Sequence, residues 1–322
     1  MIEVDKLTKY FGPVQAIDRV TFQVDKGEIV GFLGPNGAGK TTTMRILTSY
    51  MPATSGIAKV AGYDVMTEST DVRRNIGYLQ ESVPLYGEMR VLEYLDYRAK
   101  LKGVPRGQRA QRIGYCLERC RLREVTRRLI GTLSRGYRQR VGLADAMVHD
   151  PPILILDEPT AGLDPLQIRE TLALIKELGQ SHTILLSTHI LSEVEAVCER
   201  VIIINAGRIG FSQSLAEIES ESRILLEVRG PSEQVSGTLR GISGVSQVKP
   251  LGQDDGLASF EIRTQEETDL REAVSRAVTD KGWLVCRLDL KYRRLEDAFF
   301  DVLREEDPLK ELEKSSEAIK KI

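Results

Sequence analysis

Apolar residues fall in short runs closed off by turn residues or charges, and the character of the runs changes along the chain. Glu28-Ile29-Val30-Gly31-Phe32-Leu33 is short, contains β-branched and aromatic side chains and stops at turn residues, which predicts a buried strand. Ile153-Leu154-Ile155-Leu156 is too apolar for a sheet edge and predicts a central parallel strand buried on both faces. Residues 183–186 read as a third strand. Helices are predicted over 42–47 and from about Tyr137 to Val148, and helical spacing also marks the stretch between Arg98 and Arg140.

After about residue 220 the pattern changes. Residues 224–228 read as a strand and 233–239 as a short helix. Strands follow over 246–250 and 258–263, then a long helix over about 267–281 and a strand over 283–290. The order β-α-β-β-α-β predicts a small α+β, ferredoxin-like domain. From Glu305 onward the chain is rich in Glu, Lys and Ser, as a frayed helix or a disordered tail would be.

Three segments carry candidate chemistry. Gly34-Pro35-Asn36-Gly37-Ala38-Gly39-Lys40-Thr41 fits the phosphate-loop pattern at every fixed position. Its glycines reach torsions closed to other residues and bring backbone N–H groups onto phosphates. Lys40 adds a full charge for the β and γ phosphates, and Thr41 offers a hydroxyl to Mg²⁺. The helix opening at Thr42 turns its positive end toward the anion. In the second segment, Asp157 and Glu158 close the apolar run from Ile153. Asp157 is the candidate to hold Mg²⁺ through water, and Glu158 is the candidate general base for a water attacking the γ-phosphate. A cation between them offsets the repulsion of adjacent carboxylates. The third, Leu133-Ser134-Arg135-Gly136-Tyr137-Arg138-Gln139-Arg140, follows no strand, so it is no second phosphate loop. Read alone it is a helix cap.

Together and in this order, the three segments resemble the ATP-binding subunit of an ABC transporter, over about two thirds of the chain. The resemblance implies an α/β, P-loop NTPase domain of the ABC ATPase type over 1–219. Such a domain has a parallel sheet core, an antiparallel β subdomain and a helical subdomain at about 88–150. An accessory α+β domain over 220–304 and a charged tail over 305–322 would follow. Leu133 to Tyr137 is similar to the family's signature L-S-G-G-Q, with Arg135 at the first glycine and Tyr137 at the glutamine. Ser134 and Gly136 keep the positions that touch the γ-phosphate of ATP held by a second subunit. That implies a head-to-tail homodimer with two ATP molecules at the interface.

Smaller pieces fit the same resemblance. Phe11 stands where the family stacks an aromatic on adenine, with Tyr10 as the alternative. Ala161-Gly162-Leu163-Asp164 resembles the D-loop, which implies an interface role for Asp164. His189 resembles the switch histidine at the γ-phosphate. Glu81 aligns with the Q-loop glutamine and would reach the Mg²⁺ shell, with Gln80 as the alternative. Residues 82–86 and the helix opening at Arg294 resemble ABC-2-type exporter subunits. Residues 133–143 and 157–164 look most like subunits related to gliding-motility transporters. The implied function is ATP hydrolysis driving export through a separate integral membrane permease. The implied location is cytoplasmic, peripheral on the inner face of the cell membrane. The competing class is a soluble ABC ATPase acting on ribosomes or DNA. Its members carry two ATP domains or long coiled-coil insertions, and neither is present.

Composition changes this picture little. The chain has 322 residues, enough for about two domains. Its formal charge of −2 gives no global pull toward nucleic acid, and none is expected as a partner. The lack of an apolar run of about eighteen residues and of a signal-like start argues against a spanning or exported chain. Cys116 and Cys120 could share a helix face, but no histidine or second pair completes a zinc site, so buried or idle thiols are expected. Charge is uneven in one place: between Arg98 and Arg140 stand fourteen Lys or Arg against Glu118 and Glu124. Solvated helix faces explain this run; proximity to an anionic leaflet or to acidic permease loops is the sharper reading.

Overall fold

The computed structural model describes residues 1–220, 222–254, 256–264 and 269–305. They divide into two compact units, Met1–Gln213 with Phe299 and the described residues after it, and Ser214–Ala298. The first unit opens with β1 (Ile2–Phe11), β2 (Val14–Val24), β3 (Ile29–Leu33), α1 (Lys40–Leu47), β4 (Ser55–Val60) and β5 (Tyr63–Asp64). It continues through α2 (Ser69–Asn75), β6 (Ile76–Leu79), α3 (Val91–Leu101), α4 (Arg106–Arg119) and α5 (Arg135–Met147). Then come β7 (Ile153–Asp157), α6 (Pro165–Gly179), β8 (Thr183–Thr188), α7 (Leu191–Val197), β9 (Arg200–Asn205) and β10 (Arg208–Ser214).

Six strands form one sheet in the order β10-β9-β3-β8-β7-β6, and β9-β3-β8-β7-β6 pair in parallel. Every residue of β3, β7 and β8 is buried, as interior strands covered on both faces require. A second sheet, β2-β1-β4-β5, is antiparallel. Helix α1 lies within the core that joins the two sheets. Its Met44, Ile46 and Leu47 share one apolar cluster with Ile2 and Val4 of β1, and with Phe32, Ile155 and Leu185 of the parallel sheet. Phe22 meets Phe32 at 5.4 Å between ring centroids. Burying each such side chain contributes roughly 1.5–3 kcal/mol, so truncating Phe32 to Ala is expected to remove about 3–5 kcal/mol.

The register fixes where the chemistry gathers. Leu33 pairs with Thr188, and Asp157 pairs with Ser187. The carboxyl ends of β3, β7 and β8 therefore open on one edge, where α/β sheets bind ligands.

Helices α3, α4 and α5 form the helical part of the unit. α5 starts two residues before the sequence predicts, because Ser134 caps it by accepting from Tyr137 N at 3.4 Å. A buried carboxylate ties α3 to α5: Asp145 accepts from Arg98 Nε at 2.9 Å and lies 3.2 Å from Lys102 Nζ. The fourteen basic residues between Arg98 and Arg140 find many partners within the chain. Lys100 pairs with Asp96, Arg112 with Asp150, Arg119 with Glu177 and Arg123 with Glu118, while Arg121 and Arg140 share Glu170. Most of these carboxylates lie outside the stretch in sequence, which is why a local count shows only excess charge.

The second unit contains α8 (Leu215–Ser220), β11 (Ser222–Arg229), α9 (Ser232–Arg240), β12 (Val245–Asp254), β13 (Leu257–Thr264), α10 (Arg271–Thr279) and β14 (Leu284–Tyr292). α11 (Leu295–Glu305) closes the described chain. The sheet order β12-β13-β11-β14 is antiparallel throughout and realises the ferredoxin-like plan. Val235 and Leu239 of α9 and Val274 and Val278 of α10 cover Ile224, Leu226, Phe260 and Ile262. β12 runs through Pro250 to Asp254, longer than its sequence predicts, because an edge strand tolerates a proline and the register shifts beside it. α10 is shorter than the expected 267–281, and residues 265–268 and 306–322, including most of the expected tail, lie outside the described residues.

Candidate functional site

The segment between β3 and α1 wraps a lysine. Lys40 is buried, and its Nζ donates to the Gly34 carbonyl at 2.7 Å and the Pro35 carbonyl at 3.2 Å. Gly39 precedes α1 at φ +108°, a torsion closed to other residues, and this aims the first N–H groups of α1 back over the loop. The first turn of α1 holds no acidic residue that would compete for an anion. Asn36 and Gly37 are exposed at the loop tip, Ala38 and Gly39 are buried, and Thr41 and Thr42 are half-buried.

The carboxylates at the end of β7 face this loop. Glu158 Oε1 lies 3.4 Å from Lys40 Nζ, and its Oε2 lies 2.9 Å from His189 Nδ1. With a proton on Nδ1 the histidine donates to the carboxylate and leaves Nε2 free. Glu158 is buried, whereas the His189 side chain is 44% exposed. The Glu158 backbone is left-handed at φ +47° while its N–H donates to Ser187 O at 3.0 Å. A non-glycine residue held there carries about 1–2 kcal/mol of strain.

Thr41 Oγ1 donates to Asp157 Oδ1 at 3.3 Å. Asp157 Oδ2 is buried without a hydrogen-bond partner. Burial raises the Asp157 carboxyl above its ordinary range, against the nearby Ser187 and Thr41 hydroxyls, and the charges of Glu158 and Glu81 add to the rise. An orphaned buried oxygen beside a hydroxyl fits a hard divalent cation. One carboxylate and one hydroxyl are too few to hold it alone, and Mg²⁺ usually takes its other positions from phosphate and water. Among the described residues no group of three or more His, Cys, Asp and Glu could hold a metal.

One contributor has no signature in the sequence. Glu193 is buried on α7, accepting from Thr160 Oγ1 at 2.6 Å and Thr188 Oγ1 at 2.7 Å. It braces the loop after Glu158 against the segment that carries His189. The only hint is a carboxylate four residues beyond His189 on a helix.

The remaining candidates are spread out. Ser134 is exposed and Gly136 buried at the start of α5, and among the described residues no hydrogen bond joins them to the Lys40–Glu158 cluster. Asp164 caps α6, accepting from Leu166 N at 3.1 Å and Gln167 N at 2.9 Å. Glu81 is exposed and Gln80 half-buried just after β6, and of the two only Glu81 is felt as charge at Asp157. Phe11 and Tyr10 are both exposed, and Lys9 Nζ stands 5.2 Å from the Phe11 ring centroid.

The family model described as ABC transporter matches residues 17–161. An uncharacterised ABC transporter ATP-binding protein of Bacillus subtilis is 34% identical over 303 residues, covering 94% of this chain and 99% of its own. The bacitracin transport ATP-binding protein of Bacillus licheniformis is 37% identical over 305 residues, covering 94% and 97%. A dimeric structure of a bacterial ABC transporter cassette superposes with a TM-score of 0.62 at 27% identity, over 67% of this chain and 99% of the cassette. The chain belongs to the family of ABC transporter ATP-binding proteins.

Proposed function

We propose that this chain hydrolyses ATP as the motor subunit of an exporter, working as a head-to-tail pair on a separate membrane permease. The observation that carries the proposal is the single cluster in which Glu158 lies between Lys40 and His189, beside Thr41 and the orphaned Asp157 oxygen. The loop from Gly34 to Thr42 and the first N–H groups of α1 bind the phosphates, while exposed Phe11 stacks on the base. Lys40 leaves Glu158 for the β and γ phosphates. The freed carboxylate accepts a proton from water as the water oxygen bonds to the γ-phosphorus. The bond to the β–γ bridging oxygen breaks, giving ADP and inorganic phosphate. His189 holds Glu158 through Nδ1–H, and a second N–H at Nε2 would donate to the γ-phosphate. Bound Mg²⁺, held by Thr41 and Asp157 with Glu81 at its outer shell, would neutralise charge developing on the phosphate oxygens.

Ser134, Gly136 and Asp164 act across the pair, which explains why they stand apart from the Lys40 cluster within one chain. The dimeric cassette and the relatives' names support this reading. Among the described residues no helix is long and apolar enough to cross a membrane. The second unit carries no catalytic signature and serves pairing or regulation.

Glu158→Gln is the test. It removes the base while keeping the shape, so MgATP should shift the variant from monomer to dimer on size-exclusion chromatography. A variant that binds ATP yet stays monomeric at every concentration would overturn the proposal.

A further inference from the structure

Arg135 occupies a place where the family signature carries a glycine, and the structure shows where its side chain goes. The guanidinium lies flat against Gly162, in the loop between β7 and α6. A Cβ on Gly162 would come within 2.8 Å of Arg135 Nε and closer still to Cζ. Gly162 also sits at φ +70°, so the loop needs glycine both for its torsion and for the space the guanidinium fills. A second contact lies beside it: a Cβ on Gly136 would collide with the side-chain amide of Gln167, on the first turn of α6. Further along, Arg140 of α5 pairs with Glu170 of α6. Arg135 forms no ion pair among the described residues, so stacking on Gly162 is the contact that defines its position.

We propose that Arg135 is a positioning residue that fastens the Ala161–Asp164 loop to the Ser134–Gly136 turn of the same chain, so that the two move as one piece. The inference rests on the reading above, in which that turn grips the partner copy's triphosphate. Capture of the γ-phosphate by Ser134 and Gly136 then fixes the loop that follows Glu158 in the capturing chain. Each site reports its occupancy to the other through a stacked guanidinium. The plane of Arg135 matters here and its charge does not, because the surface it covers is a glycine backbone and no anion.

The experiment combines steady-state ATPase kinetics with dimer formation, on full-length protein. Arg135→Gly restores the ordinary signature residue but removes the fastening. kcat should fall about tenfold, as small misplacements of catalytic groups do, with KM within about twofold. In the Glu158→Gln background the same change should leave the MgATP dimer intact. Arg135→Lys keeps the charge without the plane and should show the same loss of kcat. Unchanged kcat in Arg135→Gly or full rescue by lysine would overturn the inference while leaving the dimer reading in place. A raised KM with unchanged kcat would do the same, by making Arg135 a phosphate ligand. If Glu158→Gln itself forms no dimer, the parent reading and this inference fall together. Melting curves of each variant separate these outcomes from misfolding.

Discussion

Asp145 and Asp157 are buried carboxylates of the same compact unit, and their surroundings are opposite in kind. Asp145 receives Arg98 at 2.9 Å, Lys102 at 3.2 Å and the Tyr94 hydroxyl at 3.5 Å. Burial alone would raise its carboxyl, yet Lys102 and Arg98 hold it below the ordinary range. Asp157 has only the Thr41 hydroxyl at 3.3 Å and the Ser187 hydroxyl near it, a second carboxylate next to it and an oxygen with no hydrogen-bond partner, and burial raises its carboxyl. The first cluster is complete within the chain and joins α3 to α5. The second is not: Asp157 Oδ2 finds no hydrogen-bond partner within the chain, as the proposed cation site would leave it. The saturated cluster ties the fold together, and the unsaturated one is the candidate for binding.

The contrast can be broken by mutation. Glu158→Gln should reduce steady-state ATP turnover by about 10²–10⁴-fold, the range for losing a general base, with a smaller loss of stability than Asp145→Asn, because Lys40 keeps the Gly34 and Pro35 carbonyls. Loss of stability in proportion to activity would mean that this cluster also holds the fold. Asp145→Asn should do the reverse. It leaves two cations largely buried without their counter-charge, so unfolding in denaturant should show a loss of about 3–5 kcal/mol. Turnover of the still-folded fraction at low temperature should be nearly normal.

Asp157→Asn sharpens the comparison because its effect on stability should have the opposite sign. Removing an under-compensated buried charge should stabilise the ligand-free protein by about 1–2 kcal/mol, while Mg²⁺-dependent turnover is lost. pH follows the same division. Asp145 is depressed, so its contribution is complete above the unfolded carboxylate value of about 3.9 and disappears as pH falls through the folded value. Asp157 is raised, so the native state binds the extra proton and stability falls as pH rises from about 3.9 through the folded value. Asp157→Asn should flatten that decline, and a decline of unchanged slope would assign it elsewhere. The smallest expected effect concerns the left-handed backbone at Glu158. Glu158→Gly should melt later than Glu158→Ala, by about 1 kcal/mol of relieved strain, and equal melting would show that the surroundings do not enforce φ +47°.

How much of this could be read beforehand depends on distance along the chain. The loop from Gly34 to Thr41 was legible because its glycines, lysine and hydroxyl act within eight consecutive residues. The runs at Ile29 and Ile153 were legible because strands covered on both faces are apolar along most of their length. The second unit followed from its element order, although the bulged end of β12 did not, since nothing local says that Pro250 stands on an edge. The arginine stretch was misleading by itself. Arg119, Arg121 and Arg140 meet Glu177 and Glu170 on α6, which a window along the sequence does not contain. Glu193 was missed for the same reason, because its partners Thr160 and Thr188 are brought to it by two different strands.

The residues alone showed which stretches bury themselves and pointed to nucleotide chemistry in the loop after β3, because loop torsion and hydrophobic periodicity are local properties. Folding decided which charges meet. Thr41 and Asp157 stand 116 residues apart, and only the parallel register of β3, β8 and β7 brings their elements to one edge. The same packing left Asp157 with an unmatched oxygen and gave Asp145 two cations. Electrostatic energy depends on separation and burial in space, and neither is written in the order of the residues.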